Sequence, residues 1–216
     1  TTATIATRGE SNKKKKKTKT KTTEGLAMDK VSPVPITILT GFLGAGKSTL
    51  LERILREEQT LKVAVLQNEK GMELGVEQAM MLRQSDGKQE WIEFANGCVC
   101  CTVKDDLLTT LESLLKRGNF NHFIIETSGL ADPAPLIESF WVDTELCASV
   151  FLDAVVCVCD VTHILDHLKT TTEAQRQIAL ADRILLNKCD LVGASEESAK
   201  SLVNVEREIR EINGWA

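Results

Sequence analysis

Eight consecutive residues, Gly41-Phe42-Leu43-Gly44-Ala45-Gly46-Lys47-Ser48, follow an apolar run ending at Thr40 and lead into a segment with helical periodicity around Leu51. This is the spacing of a phosphate-binding loop at a strand-to-helix junction. Its glycines let the backbone wrap tightly, so that successive amides and the positive end of the next helix face phosphate oxygens. Gly41, Gly44, Ala45, Gly46 and Thr49 are therefore expected at the phosphates. Lys47 is expected to reach the β- and γ-phosphates, and the Ser48 hydroxyl to ligate Mg²⁺. A second apolar run, Phe123-Ile124-Ile125, ends in Glu126 and continues Thr127-Ser128-Gly129. A carboxylate at such a strand end can hold the magnesium hydration shell, and the Gly129 amide can sense the γ-phosphate. Lys47, Ser48 and Glu126 form the expected catalytic set.

Asn187-Lys188-Cys189-Asp190 follows the apolar run Ile184 to Leu186. In guanine-specific phosphate-loop proteins this turn lets the Asp carboxylate accept two hydrogen bonds, from the guanine N1–H and the exocyclic amine, which adenine does not offer. The nucleotide reads as GTP, with Asn187, Lys188 and Asp190 at the base. An ATP-dependent kinase would leave this turn without a purpose.

Gly97-Cys98-Val99-Cys100-Cys101 places three thiols in four positions after an Asn-Gly turn. On an extended segment Cys98 and Cys100 share a side and Cys101 adjoins them, so three sulfurs can converge on one tetrahedral ion at about 2.3 Å. Thiolates favour Zn²⁺ or Cu(I), with Co²⁺ open, over Mg²⁺ or Ca²⁺. A redox pair or small buried apolar side chains are the alternatives. With three local thiolates, the fourth position falls to water, a distant side chain or a client's ligand, an arrangement suited to transfer. His163, four residues before His167 and just past a strand end at Asp160, is a candidate fourth ligand. Cys157 and Cys159 sit in an apolar run and read as core residues.

These residues need elements to carry them. From Pro35 onward short apolar runs alternate with longer helical patterns, which predicts an α/β fold: a phosphate-loop NTPase three-layer sandwich, mostly parallel sheet with helices on both faces. Strands are expected at 36–40, 63–67, 123–126, 155–160 and 184–187, and their unbroken β-branched and leucine-rich character fits burial on both faces. Helices are expected around Leu51, Ile54 and Leu55, around Leu107 to Leu115 with a stop at Gly118, and over 195–213 with a stop at Gly214.

With 216 residues, the chain suffices for one substantial core, so residues 35–216 read as a single GTPase domain and 1–34 as a disordered lysine-rich tail. Residues 1–30 hold nine basic and three acidic groups; against a net charge of −5 overall, that leaves −11 for the remainder. An acidic folded part offers no footprint for nucleic acid. No apolar run approaches the 18 or more residues of a membrane span, and no secretory signal is present. Seven cysteines without such a signal point to a reducing compartment. The expected location is the cytoplasm, with the nucleus open to a chain bearing this lysine run.

The combination of GFLGAGKSTLL, GCVCC, ETSGLADPAP and NKCDL resembles the CobW-type metallochaperone GTPases. FWVDTEL and QIALADRILLNKCDL are similar to the eukaryotic branch, the zinc-regulated GTPase metalloprotein activators. The resemblance runs from about Pro35 to Trp215. It implies GTP hydrolysis, zinc on Cys98, Cys100 and Cys101, nucleotide-dependent contact by Cys101, Thr102, Val103, Lys104 and Asp105, and a client metalloprotein, type 1 methionine aminopeptidase. The family's Asn-Glu-Phe-Gly-Glu switch segment stands here as Asn68-Glu69-Lys70-Gly71-Met72. The branch's N-terminal client-docking motif has no counterpart before Pro35, nor has the family's C-terminal domain before Ala216, so the chain reads as a fragment. Two function classes follow: a metallochaperone enzyme that couples GTP hydrolysis to metal transfer, or a zinc- and GTP-sensing binding module with negligible turnover. A nickel-type accessory GTPase fits less well with three histidines.

Overall fold

Alternation along each strand decides which side chains meet which helices. A computed structural model describes residues 32–57, 60–67, 78–83, 89–94, 103–118, 120–142, 148–193 and 195–216. In chain order the elements are β1 (Val34–Thr40), α1 (Lys47–Glu57), β2 (Val63–Gln67), β3 (Gln78–Arg83), β4 (Gln89–Phe94), α2 (Val103–Arg117) and β5 (His122–Glu126). Then come α3 (Ala134–Val142), β6 (Val150–Asp160), α4 (Ile164–Thr170), α5 (Thr172–Ala179), β7 (Arg183–Asn187), a 3-10 turn (Cys189–Val192) and α6 (Glu196–Ile212). The strands form one sheet in the order β4-β3-β2-β5-β1-β6-β7. β2, β5, β1, β6 and β7 run parallel, while β3 and β4 add antiparallel at one edge.

On β5, Phe123 and Ile125 join Ile36, Ile38, Leu111, Leu114, Ile137 and Phe140 in one buried cluster, and Ile124 joins Leu39, Val63, Val65, Leu51 and Leu55 in another. Because neighbouring strand residues point to opposite faces, the two clusters lie on opposite sides of the sheet. α2 and α3 cover one side and α1 the other. Cys157 and Cys159 pack with Ile164, Ile178, Val205 and Ile209 in a third cluster, under α4, α5 and α6. The three-layer architecture expected from the alternation of apolar runs is the one observed.

All five expected strands are present, with β6 longer than its apolar run. Its first half, Val150 to Ala154, alternates between buried and more exposed positions, and Asp153 interrupts the run. Pro35 sits near the start of the central strand β1, next to an irregularity of register with β6 between Ile36 and Thr37. That is where a residue without an N–H is tolerated in a sheet interior. α2 ends at Arg117, and Gly118 donates its amide to Leu114 O at 3.2 Å. α6 ends one residue before Asn213, as its periodicity predicts.

The C-terminal ends of the parallel strands place Thr40, Gln67, Glu126, Asp160 and Asn187 along one edge of the sheet. In parallel sheets of this kind ligands bind at that edge. No helix among the described residues is long and apolar enough to cross a membrane.

Candidate functional site

β1 hands the chain to α1 through the glycine-rich loop. Gly41 has φ of +139°, a conformation that side chains rarely adopt, and a Cβ there would run into the carbonyl of Val158 on β6. Only glycine lets the loop lie this close to the neighbouring strand. Ala45 N donates to Phe42 O at 3.2 Å, and Leu50 N donates to Gly46 O at 2.9 Å as the helix begins. Lys47 is buried, with its Nζ donating to Gly41 O at 2.8 Å. Ser48, in the first turn, donates its Oγ to Glu126 Oε1 at 2.8 Å. Glu126 is itself buried at the end of β5. A serine hydroxyl and a carboxylate, brought together at the mouth of a phosphate loop, are hard oxygen donors of the kind Mg²⁺ takes. Next to them, Thr127 donates its Oγ1 to Thr40 Oγ1 at 3.0 Å and its amide to Leu39 O at 2.9 Å, which locks the ends of β1 and β5 together.

The turn after β7 fastens to the same loop. Asn187 Nδ2 donates to Ala45 O at 2.8 Å. Lys188 adopts the left-handed conformation, with φ of 61°. Its Nζ donates to Asp160 Oδ2 at 2.8 Å. Asp160 closes β6 and is 5% exposed. Its Oδ1 accepts the Thr162 amide at 2.9 Å and the Thr162 hydroxyl at 2.5 Å, and His163 Nδ1 lies 3.1 Å from Oδ2. Burial pushes the Asp160 carboxyl up, but the Lys188 ammonium, the two Thr162 donors and His163 outweigh it and hold the group well below the usual carboxylate range. Asp160 is thus a charged post that fixes Lys188, leaving Asp190 exposed on the 3-10 turn beyond.

Asp160 was legible from the sequence only as a strand end, and its bond to Lys188 was not. The contact of Phe42 with His167, ring centroids 4.3 Å apart, was not foreseen either. His163, the residue before α4, stacks on His167 with centroids 6.1 Å apart. Among the described residues no group of three or more His, Cys, Asp or Glu side chains could hold a metal. Cys98, Cys100, Cys101 and Thr102 lie outside the described residues, as does the segment 68–72. Val103, Lys104 and Asp105 form the first turn of α2. Cys157 and Cys159 are buried with their sulfurs 3.8 Å apart. The hydrogen bond to Cys159, with burial, pushes the Cys157 thiol well up. That suits a core residue rather than a thiolate ligand.

Comparison with known proteins gives the chain a family. The model of the CobW/HypB/UreG nucleotide-binding domain matches residues 35–215. Zinc-regulated GTPase metalloprotein activator 1 of Saccharomyces cerevisiae is 38% identical over 203 residues, covering 85% of this chain and 47% of the relative. The protein of the same name in Schizosaccharomyces pombe is 42% identical over 187 residues, covering 85% and 44%. The chain thus spans about half the length of the curated relatives it matches. The crystal structure of Zn(II)-bound YjiA GTPase from Escherichia coli superposes with a TM-score of 0.59 at 32% identity, covering 81% of this chain and 54% of that one. With a family model that spans nearly all the described residues, and relatives this similar over most of the chain, the protein belongs to the CobW/HypB/UreG family of nucleotide-binding domains.

Proposed function

We propose that this chain is the GTP-binding and GTP-hydrolysing part of a metallochaperone that delivers zinc to a client metalloprotein. The observation that carries the reading is the Ser48 to Glu126 hydrogen bond, 2.8 Å, at the phosphate loop. Ser48 and Glu126 would hold Mg²⁺, directly and through its water shell, and the ion would neutralise charge on the β- and γ-phosphate oxygens. Lys47 would supply a further positive charge there, while Gly41, Gly44, Ala45, Gly46 and Thr49 cradle the phosphates. Asn187 holds the loop through Ala45, Lys188 is braced by Asp160, and Asp190 reads guanine. The Gly129 amide reports the γ-phosphate, and the stretch Cys101 to Asp105 responds to it.

The cargo is zinc on Cys98, Cys100 and Cys101, a reading supported by the thiol spacing and by relatives named zinc chaperones and zinc-regulated activators. The client is a metalloprotein, by analogy with the activators' name, and type 1 methionine aminopeptidase is the specific candidate. The altered switch segment Asn68-Glu69-Lys70-Gly71-Met72 favours a second reading, a zinc and GTP sensor that does not turn over. Measuring GTP turnover by the purified chain with and without zinc, alongside Lys47→Ala, tests both. Turnover that disappears in Lys47→Ala supports the enzyme; guanine-nucleotide binding without turnover leaves the sensor; failure to bind GTP in preference to ATP overturns both.

A further inference from the structure

α5 carries a glutamine where a core residue belongs. Gln177 is 1% exposed, beside Ile178 at 0% and Ala174 at 1%, although glutamine is seldom fully buried. Ile178 packs in the apolar cluster under α4, α5 and α6, while Gln177 reaches the loop that follows β5. Its Nε2 donates to Gly129 O at 3.1 Å and to Ala131 O at 3.0 Å. Two carbonyl acceptors demand an NH₂ group, which fixes the orientation of the amide. Its Oε1 then has no hydrogen-bond partner among the described residues. A buried acceptor left without a donor is costly, so the position is tuned for something other than packing.

The preceding residue grips the same loop. Arg176 Nη1 pairs with Asp132 Oδ2, and Asp132 Oδ1 accepts the Ala134 amide at 3.0 Å at the start of α3. α5 therefore holds this loop at three points, Gly129, Ala131 and Asp132. From the other side, a Cβ on Gly129 would come within 2.6 Å of Leu43 N in the phosphate loop. The backbone of Gly129 is thus pressed between the phosphate loop and the Gln177 amide.

We propose that Gln177, seconded by Arg176, is a positioning residue for γ-phosphate recognition: it holds the Gly129–Ala131 backbone so that the Gly129 amide faces the γ-phosphate. This rests on the reading of Gly129 as the γ-phosphate sensor. Gln177 touches no nucleotide in this scheme. It sets the orientation of a segment that distinguishes a nucleoside triphosphate from a diphosphate, whereas the phosphate loop and the Asn187-to-Asp190 turn bind what the two share.

The consequence is a change in discrimination rather than in overall binding. Titrations of GDP and of a non-hydrolysable GTP analogue, each with Mg²⁺, into the parent, Gln177→Met, Gln177→Glu, Arg176→Ala and Gly129→Ala chains test it. The Gln177 variants are expected to lose roughly fivefold to tenfold of the preference for the analogue over GDP, the worth of one or two hydrogen bonds, with GDP affinity held. Arg176→Ala is expected to shift the ratio the same way by less. Gln177 variants that melt earlier yet keep the parent ratio would overturn the proposal and make the residue merely structural. A parent chain without preference, or a Gly129→Ala chain that retains it, would instead remove the reading of Gly129 itself. Should both Gln177 variants fail to fold, Arg176→Ala carries the test, and an unchanged ratio there overturns the proposal.

Discussion

Asp190 stands exposed on a 3-10 turn whose start is held by two other side chains, Asn187 on the phosphate loop and Lys188 on Asp160. In the proposed function this carboxylate reads the base from a turn anchored at two points, and its substitution is expected to change specificity with little effect on folding. Asp190→Asn should weaken GTP by roughly tenfold to a hundredfold, the range expected for hydrogen bonds to a charged group, and improve xanthosine triphosphate. Paired titrations with the two nucleotides check it. Asp160 behaves differently, because it is buried and its carboxyl is held below the ordinary range by Lys188, Thr162 and His163 against the cost of burial. A depressed folded-state pKa means that its contribution is complete above the unfolded value near about 3.9 and is lost as pH falls toward the folded value. Asp160→Asn should therefore cost about 1–2 kcal/mol near neutrality, and the gap between variant and parent should narrow below about pH 4. Urea unfolding from neutral pH down into acid measures that gap.

At the scale of elements, the helices beyond β6 depend on a polar fastener. Asn213, buried just past α6, donates its Nδ2 to Ile178 O at 2.9 Å and Ala181 O at 2.8 Å, where α5 gives way to β7. Asn213→Ala would remove both of these bonds, with Ile178 O keeping the Ala181 amide, and should cost about 1–3 kcal/mol, read as a lower melting temperature with nucleotide selectivity retained. This end of α6 was legible in the sequence as a stop at Asn213-Gly214, but its grip on α5 was not. The strands β2, β5, β1 and β6 were legible because residues buried on both faces form continuous apolar runs. β7 was legible from Ile184-Leu185-Leu186, although at the sheet edge it has no fully buried residue, against the two-face burial expected of it. β3 and β4 escaped notice because Gln78-Ala79-Met80-Met81-Leu82-Arg83 and Gln89-Glu90-Trp91-Ile92-Glu93-Phe94 carry few β-branched residues and join the sheet by antiparallel pairing at its edge. α4 and α5, of 7 and 8 residues, are too short for periodicity to declare them.

For the whole molecule, the proposed function makes nucleotide and zinc two ligands of one domain, and linkage makes any coupling between them reciprocal. GTP with Mg²⁺ should tighten zinc at Cys98, Cys100 and Cys101, and zinc should tighten GTP by the same factor, with about 1–3 kcal/mol typical of such couplings. Zinc titrations with GTP analogue, with GDP and with neither decide it, and three equal affinities would leave two independent sites. Chelating the zinc should then weaken GTP and spare GDP. The sequence by itself determined the phosphate loop, the carboxylate-ended strand and the Asn187-to-Asp190 turn, since each is a short contiguous pattern whose chemistry is carried by neighbours in the chain. It also determined the layered α/β architecture, because burial on two faces is written into runs of apolar residues. Only the tertiary structure decided that Ser48 meets Glu126 across 78 residues and that Asn187 meets Ala45 across 142. The same holds for Lys188 on Asp160 and for Gln177 on the loop after β5. Those partners are chosen by the order and register of parallel strands, which bring distant chain ends to one edge of the sheet, and no local periodicity encodes that order.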